Sequence, residues 1–176
     1  MSRATILKFG RTVLTKELED IFRDHSQFIY RTAYTVTGNH ADAEDVLQTI
    51  FVKLLQREMT SRFWDQPRPY LYRAAVNLAL NNVRTRKRRN STNEIEDLEA
   101  SSVIEADGRE SIQRELMDAI AQLKPSTVEM VVLRYGHGYS DAEIAKMLGK
   151  SRGTIAVTLY RARARLKRLM RSGETL

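Results

Sequence analysis

Apolar residues recur three and four positions apart through much of the chain, which is the spacing that gives a helix one buried face. In the N-terminal half, this pattern predicts helices over residues 16–37 and 42–56 and a longer helix from Pro69 to Arg89. The predicted core face of the first helix contains Leu18, Ile21, Phe22, His25, Phe28, Ile29 and Ala33. The predicted core face of the second helix contains Leu47, Ile50, Phe51, Leu54 and Leu55. Residues 1–15 have no clear period, and we expect them to form a loosely ordered arm.

The C-terminal half continues the helical pattern. A helix is predicted over residues 112–123 and is expected to end at the Lys124-Pro125 pair. Ser126 is followed three positions later by Glu129, which predicts a capping box at the start of the next helix. The predicted fold class is therefore all-α.

Residues 140–169 predict two helices joined by a tight turn. Ser140 and Glu143 form a capping box that begins the first helix, and Gly149 is expected to end it in the left-handed conformation. Ser151 can cap the second helix. The buried side of the second helix is predicted to contain Ile155, Leu159, Ala162, Leu166 and Leu169.

The exposed side of this second helix is basic, because no Asp or Glu occurs from Ile144 to Gly173. Two helices across a short glycine turn, with a basic second helix, are typical of a helix-turn-helix domain that places its second helix in a major groove. A helical hairpin with a solvated basic face is the alternative. The outward residues expected to contact base edges or phosphates are Arg152, Thr154, Thr158, Tyr160, Arg161 and Arg165.

The composition supports a polyanionic partner, since the 176 residues have a formal net charge of +7. The absence of cysteine excludes disulfides, thiol catalysis and cysteine-bound metals, and the three histidines lack ligand spacing. We therefore expect no metal, no cofactor and no catalytic residue. No apolar run approaches the roughly 20 residues of a membrane span, and the N-terminus lacks the apolar core of a signal peptide. The sequence predicts a cytoplasmic protein.

A polar stripe follows the helix that begins at Pro69 and runs into a basic cluster over residues 84–89. Amides can hydrogen-bond base edges and arginines suit phosphates, so the stripe is a candidate for a second nucleic-acid contact. The stripe contains Arg73, Asn77, Asn81, Arg84 and Arg88. In the preceding loop, Phe63 and Trp64 could stack on unpaired bases or could equally form a small satellite core.

Residues 90–111 change character, with Ser, Thr and Gly mixed among seven acidic side chains from Glu94 to Glu110. This composition predicts a flexible acidic linker between two basic helical domains. The expected division is an arm at 1–15, a first helical domain at 16–89, the linker, and a helix-turn-helix domain at 112–172.

Three blocks in this order resemble the extracytoplasmic-function sigma factors, a two-domain group of the sigma-70 family. The blocks are DAEDVLQTIFVKLL at 42–55, PYLYRAAVNLALNNVRTRKRR at 69–89, and LKPSTVEMVVLRYGHGYSDAEIAKMLGKSRGTIAVTLYRARARL at 123–166. The resemblance implies a dissociable specificity subunit of core RNA polymerase that binds promoter DNA. Many family members also have an anti-sigma factor, which the resemblance adds as a further partner.

The resemblance assigns roles that the residue pattern alone does not. It implies that the face of Asp45, Gln48 and Val52, which otherwise appears solvated, binds polymerase. It implies that Asn77 and the basic cluster at 84–89 contact the −10 element, and that the loop at 57–68 holds a flipped-out base. The helix-turn-helix would recognise the −35 element with Ala156, Val157, Thr158, Tyr160 and Arg161.

The sequence departs from the family pattern at a few positions. Ala156 and Val157 are small or apolar where many members have charged or hydroxyl side chains, which leaves contact with thymine methyl groups as an option. Thr49 stands where an acid is common, Asn81 replaces a frequent Asp, and Tyr70 replaces a frequent Trp.

Two other functions compete with this one. A stand-alone helix-turn-helix regulator would bind its operator without polymerase. A DNA-processing enzyme would need an activated nucleophile, and no acid or base constellation surrounds the available Ser and Tyr residues.

Overall fold

The computed structural model describes residues 3–56, 59–93 and 108–173. Every regular element within these ranges is helical, which confirms the predicted all-α fold. The helices are α1 (Arg3–Thr37), α2 (His40–Gln56), α3 (Ser61–Asp65), α4 (Pro67–Asn93), α5 (Gly108–Ala121), α6 (Pro125–Val131), α7 (Asp141–Leu148) and α8 (Arg152–Gly173). Helix α6 continues directly into a π-helical turn, Val132–Gly136.

Helices α1 to α4 form the N-terminal domain. Helix α1 packs along both α2 and α4, and the three helices bury the apolar faces that their spacing predicts. Ile29 and Leu71 are fully buried in the core, and Leu54 of α2 is buried in the same core. Removing such faces from water is the main favourable term in the packing of amphipathic helices.

Helices α5 to α8 form the C-terminal domain. Helix α8 contacts α5, α6 and α7 and thereby organises the domain. Leu133, Ile144 and Ile155 are fully buried between these helices.

Several helix boundaries differ from those predicted. Helix α1 begins at Arg3 rather than at Lys16, so residues 3–15, which were expected to form a loosely ordered arm, are helical. No proline in this stretch interrupts the helix. Helix α4 begins at Pro67 rather than at Pro69, and the short helix α3 lies within the predicted loop.

The predicted capping box at Ser126 was wrong. Helix α6 begins at Pro125, and Lys124 is its N-cap residue without any side-chain cap. A proline is well suited to the first position of a helix, because its fixed φ is already helical and its missing N–H has no helical partner there.

The predicted linker at 90–111 falls only partly on described residues. Residues 90–93 belong to α4 and residues 108–111 belong to α5. Residues 94–107 lie outside the described residues.

The two domains pack against each other. Helix α4 contacts α5 and α6, and α1 contacts α5 and the π-helical turn. The Tyr72 hydroxyl of α4 donates a hydrogen bond to the Glu129 carbonyl oxygen of α6. Burial raises the pKa of Tyr72, which keeps the phenol protonated as the donor of this bond. The sequence predicted two separately folded domains and did not predict this contact.

Candidate nucleic-acid interfaces

The first helix of the helix-turn-helix is fixed at its start by the predicted capping box. The Glu143 backbone N–H donates to Ser140 Oγ at 3.3 Å, and the Ser140 backbone N–H donates to Glu143 Oε2 at 2.8 Å. The hydrogen bonds from Ser140 lower the pKa of the Glu143 carboxyl, which stays ionised near the positive end of the helix dipole.

The turn between α7 and α8 also follows the predicted local chemistry. Gly149 has φ 64°, a left-handed conformation that suits glycine because it has no Cβ. The Lys150 N–H then donates to the Ala145 carbonyl oxygen at 2.9 Å and closes the end of α7. Ser151 Oγ accepts the Thr154 N–H at 3.1 Å and caps α8.

Helix α8 separates a buried apolar side from an exposed polar side. Ile155, Leu159 and Ala162 are buried against the domain core, which orients the opposite side of the helix outward. Of the residues predicted to contact DNA, seven are exposed and Thr158 is half-buried. The exposed seven are Arg152, Thr154, Ala156, Val157, Tyr160, Arg161 and Arg165.

Two details refine this surface. Tyr160 is 68% exposed and the next residue, Arg161, is also exposed, so the exposed side of α8 contains both a large ring and a guanidinium. The Thr154 hydroxyl lies 2.8 Å from Ser151 Oγ, so it contributes to the cap as well as to the exposed side. The whole surface is free of acidic residues and suits a polyanion.

The polar stripe of α4 divides into two parts. Arg73, Asn77 and Asn81 are exposed on one side of the helix. Arg84 is half-buried and hydrogen-bonds to carbonyl oxygens of the C-terminal domain. Arg88 is exposed near the end of the helix.

Two adjoining clefts lie beside the exposed part of this stripe. One has a volume of about 540 Å³ and is lined by Thr60, Phe63, Gln66, Pro69, Tyr70, Arg73, Ala74 and Asn77. The other has a volume of about 300 Å³ and is lined by Ile50, Lys53, Tyr70, Ala74, Asn77, Leu78 and Asn81. Asn77 and Tyr70 line both clefts, so each cleft offers an amide and an aromatic ring to a nucleobase.

Phe63 and Trp64 were predicted either to stack on unpaired bases or to form a small satellite core, and in the structure they pack in the core. Phe63 is only 5% exposed and belongs to the core, and Trp64 packs partly against that core. Tyr70 is 41% exposed and meets the Phe63 ring edge to face at 5.3 Å. Tyr70 is thus an exposed ring at this site that could stack on a base, although in the sequence it stood out only as a departure from the family pattern.

A third surface lies on α1 and α2. Asp45, Gln48 and Val52 are all exposed, and Val52 is 48% exposed. Phe22 and Leu55, which were predicted to face the core, are 49% and 65% exposed beside this surface. The Phe22 ring of α1 packs edge to face on Phe51 of α2, with ring centroids 4.8 Å apart.

The sequence carried a signal for this larger patch. Leu55 follows Val52 by three positions, and Val52 follows Gln48 by four, which are the spacings that place residues on one side of a helix. Apolar side chains that stay exposed together are typical of a surface for another protein.

The described residues contain no group of acidic or histidine side chains arranged to hold a metal ion. Among the helices of those same ranges, none combines the length and the apolar character needed to cross a lipid bilayer.

Comparison with known proteins gives two family matches. Residues 21–89 match Sigma-70 region 2, and residues 113–166 match Sigma-70, region 4. The chain is similar to the ECF RNA polymerase sigma factor BldN of Streptomyces coelicolor, with 32% identity over 85% of this chain and 59% of that protein. It therefore spans less than two thirds of the length of BldN.

A second relative is matched over most of its length. The RNA polymerase sigma-E factor of Streptomyces coelicolor is 32% identical over 86% of this chain and 84% of its own length. Among solved structures, the sigma factor RpoE, in complex with the anti-sigma factor NepR from Bartonella quintana, aligns with a TM-score of 0.50. That alignment covers 89% of this chain and 98% of RpoE at 21% identity, which establishes a shared fold.

Proposed function

The chain belongs to the extracytoplasmic-function sigma factors of the sigma-70 family, and we propose that it directs core RNA polymerase to promoters through the three surfaces described above. Sigma factors are non-catalytic transcription initiation factors. We infer that this chain likewise has no enzymatic activity of its own and that it acts in the cytoplasm with the polymerase.

The observation that carries the proposal is the exposed side of α8, which is basic, free of acids and held outward by a buried apolar side. A helix presented in this way fits a major groove, where Arg161 can donate two hydrogen bonds to a guanine. Ala156 and Val157 offer methyl contacts of the kind that thymine accepts. The surface is assigned to the −35 element.

The clefts beside α4 are assigned to the −10 element. A base that leaves the stack could enter beside Tyr70, with Asn77 placed to hydrogen-bond its edge. Arg73 lies at the rim of the larger cleft and suits the neighbouring phosphate. Opening of the promoter would then be base capture, without any chemistry by the chain itself.

The exposed patch around Val52 is assigned to core polymerase. The patch combines the exposed apolar side chains of Phe22, Val52 and Leu55 with the exposed polar side chains of Asp45 and Gln48, a mixture that suits a protein interface. RpoE of Bartonella quintana was solved with an anti-sigma factor, and we include a partner of that class in the proposal.

Run-off transcription tests the −10 assignment in the reconstituted holoenzyme. Asn77→Ala should lower initiation from a cognate promoter roughly tenfold, because a base-edge contact is worth about 1–3 kcal/mol. Asn82→Ala, on the same helix but outside the stripe, should leave initiation near the wild-type level. Equal transcript yields from both variants would contradict the assignment of the cleft.

A further inference from the structure

A cleft in the C-terminal domain lies outside the three surfaces described above. Residues of α5 and α8 line this α5–α8 cleft, and its volume is about 400 Å³. Its apolar lining consists of Ile112, Leu166 and Met170. Ile112 is 58% exposed, and the other two side chains are half-buried. An apolar surface in the cleft is therefore open to a partner.

The charged residues of the α5–α8 cleft are mostly basic. Arg163, Lys167 and Arg171 line it at intervals of four residues, which places them on one side of α8. All three side chains are exposed. The remaining charged residue of the lining is Glu115 of α5, so three positive charges meet one negative charge. An occupant with complementary charge would be acidic.

The cleft lies on the side of α8 that faces away from the residues assigned to DNA. Arg163 is two positions from both Arg161 and Arg165, and two positions in an α-helix are about 160° apart around the axis. The α5–α8 cleft can therefore be occupied while Arg161 and Arg165 remain accessible.

The Glu115 carboxylate has an oxygen atom that lacks a donor. Its Oε1 atom is buried and has no hydrogen-bond partner within the part of the chain that the structure describes. Such an acceptor is unfavourable, because it has lost water without gaining a hydrogen bond. A hydroxyl or a backbone N–H of an occupant would satisfy it.

The sequence of residues 94–107 matches these features of the cleft. The segment contains no Lys, Arg or His. Its acidic residues are Glu94, Glu96, Asp97, Glu99, Glu105 and Asp107. Its large apolar residues are Ile95, Leu98, Val103 and Ile104. Ser101 and Ser102 add hydroxyl donors, so one segment offers negative charge, apolar side chains and donors together.

The segment is also attached close to the cleft. It joins α5 at Gly108, and Ile112 lies four residues further on, a rise of about 6 Å. The basic residues from Arg163 to Arg171 extend over about 12 Å of α8, whereas the 14 residues from 94 to 107 can span up to about 48 Å. A segment tethered in this way has a high effective concentration at the cleft, which favours it over a free partner.

We propose that the acidic segment 94–107 docks in the α5–α8 cleft. Its apolar side chains contact Ile112, Leu166 and Met170, its carboxylates pair with the basic residues of the lining, and a donor satisfies Glu115 Oε1. The docked segment withdraws these basic residues from non-specific contact with DNA phosphates and leaves the opposite side of α8 free. Docking involves only this chain, so it stands or fails independently of the proposed function.

The test detects the segment at the cleft by NMR in the full chain. The sequence has no cysteine, so Ala100→Cys provides a single site for a spin label in the middle of the segment. The label broadens nearby methyl signals, and this effect falls steeply with distance. Docking predicts strong broadening of the Ile112, Leu166 and Met170 methyl signals and much weaker broadening at Val157, which is exposed on α8 outside the cleft lining.

A charge reversal tests whether the basic lining holds the segment. Lys167→Glu should lower the ratio of docked to free segment roughly threefold or more, because it replaces an attraction with a repulsion. Lys146→Glu is the matched control, since Lys146 is exposed on α7 and does not line the cleft. The control should retain broadening near the wild-type level. Raising the salt concentration to about 1 M, where the Debye length is about 3 Å, should also weaken docking.

Several results would overturn the proposal. One is equally weak broadening at the cleft and at Val157, and another is an equal response to Lys167→Glu and Lys146→Glu. Broadening in an isotopically labelled chain that is mixed with a separate spin-labelled chain would assign the cleft to a second copy. Cleft methyl signals that respond only to added core polymerase would assign the cleft to that partner.

Discussion

Replacing Val52 with aspartate is expected to weaken binding of the chain to core RNA polymerase roughly 30-fold or more. Val52 is 48% exposed on α2, three residues before the exposed Leu55, and in the proposed interface a partner surface would exclude water from it. A carboxylate enclosed there without a counter-charge loses its hydration, and we expect this loss to cost about 2 kcal/mol or more of binding free energy. Affinity is measured by titrating labelled chain with core polymerase.

Val52→Thr is the matched control for this experiment. Threonine has nearly the same shape as valine and adds no charge, so it should reduce affinity far less than aspartate. Circular dichroism should show the same helical content for both variants, because Val52 is about half exposed and lies outside the core. Equal affinities of the aspartate variant and the wild type for core polymerase would show that this patch is not part of the polymerase interface.

Replacing Arg161 with alanine should lower initiation from promoters that depend on the −35 element roughly 10- to 100-fold. Arg161 is exposed on α8, next to Tyr160 in the sequence, and is not among the buried residues of the core. A bidentate contact between arginine and a base is worth about 1–3 kcal/mol of discrimination. The variant should therefore lose selectivity at one position of the −35 element without losing stability.

Lys146→Ala provides the comparison, since it removes one positive charge from the same domain at an exposed position of α7. A lost phosphate contact weakens binding about equally on all sequences, whereas a lost base contact relaxes preference at one position. Binding to a set of promoters with single substitutions in the −35 element separates the two cases. If Arg161→Ala weakens binding equally on all of these promoters, Arg161 contacts the phosphate backbone and not a base.

The helix-turn-helix could be predicted in detail because its signals are local. The bond between Ser140 and Glu143, the left-handed Gly149 and the Ser151 cap all connect residues within a few positions of one another. The same logic failed at Ser126, where Pro125 occupies the first turn and the helix starts without a side-chain cap. Pro125 and Ser126 each favour a helix start, and the sequence alone does not determine which of them begins the helix.

The contact between the domains could not be predicted in the same way. The bonds from Arg84 to Ala121 and from His137 to Thr32 join residues 37 and 105 positions apart. Arginine at the end of a basic helix has the same sequence pattern whether it faces DNA or a carbonyl oxygen. Phe22 and Leu55 were placed in the core for a related reason, since helical spacing identifies apolar faces but not which part of a broad face is covered.

The most direct test of the whole account is a gel-shift assay on a promoter library, with and without core RNA polymerase. The account predicts sequence-specific complexes only when polymerase is present, with two selected elements separated by the −10 to −35 spacing. Tight sequence-specific binding by the chain alone would contradict the account and favour a stand-alone regulator. The roles proposed for Asp45, Gln48 and Asn77 would then be wrong.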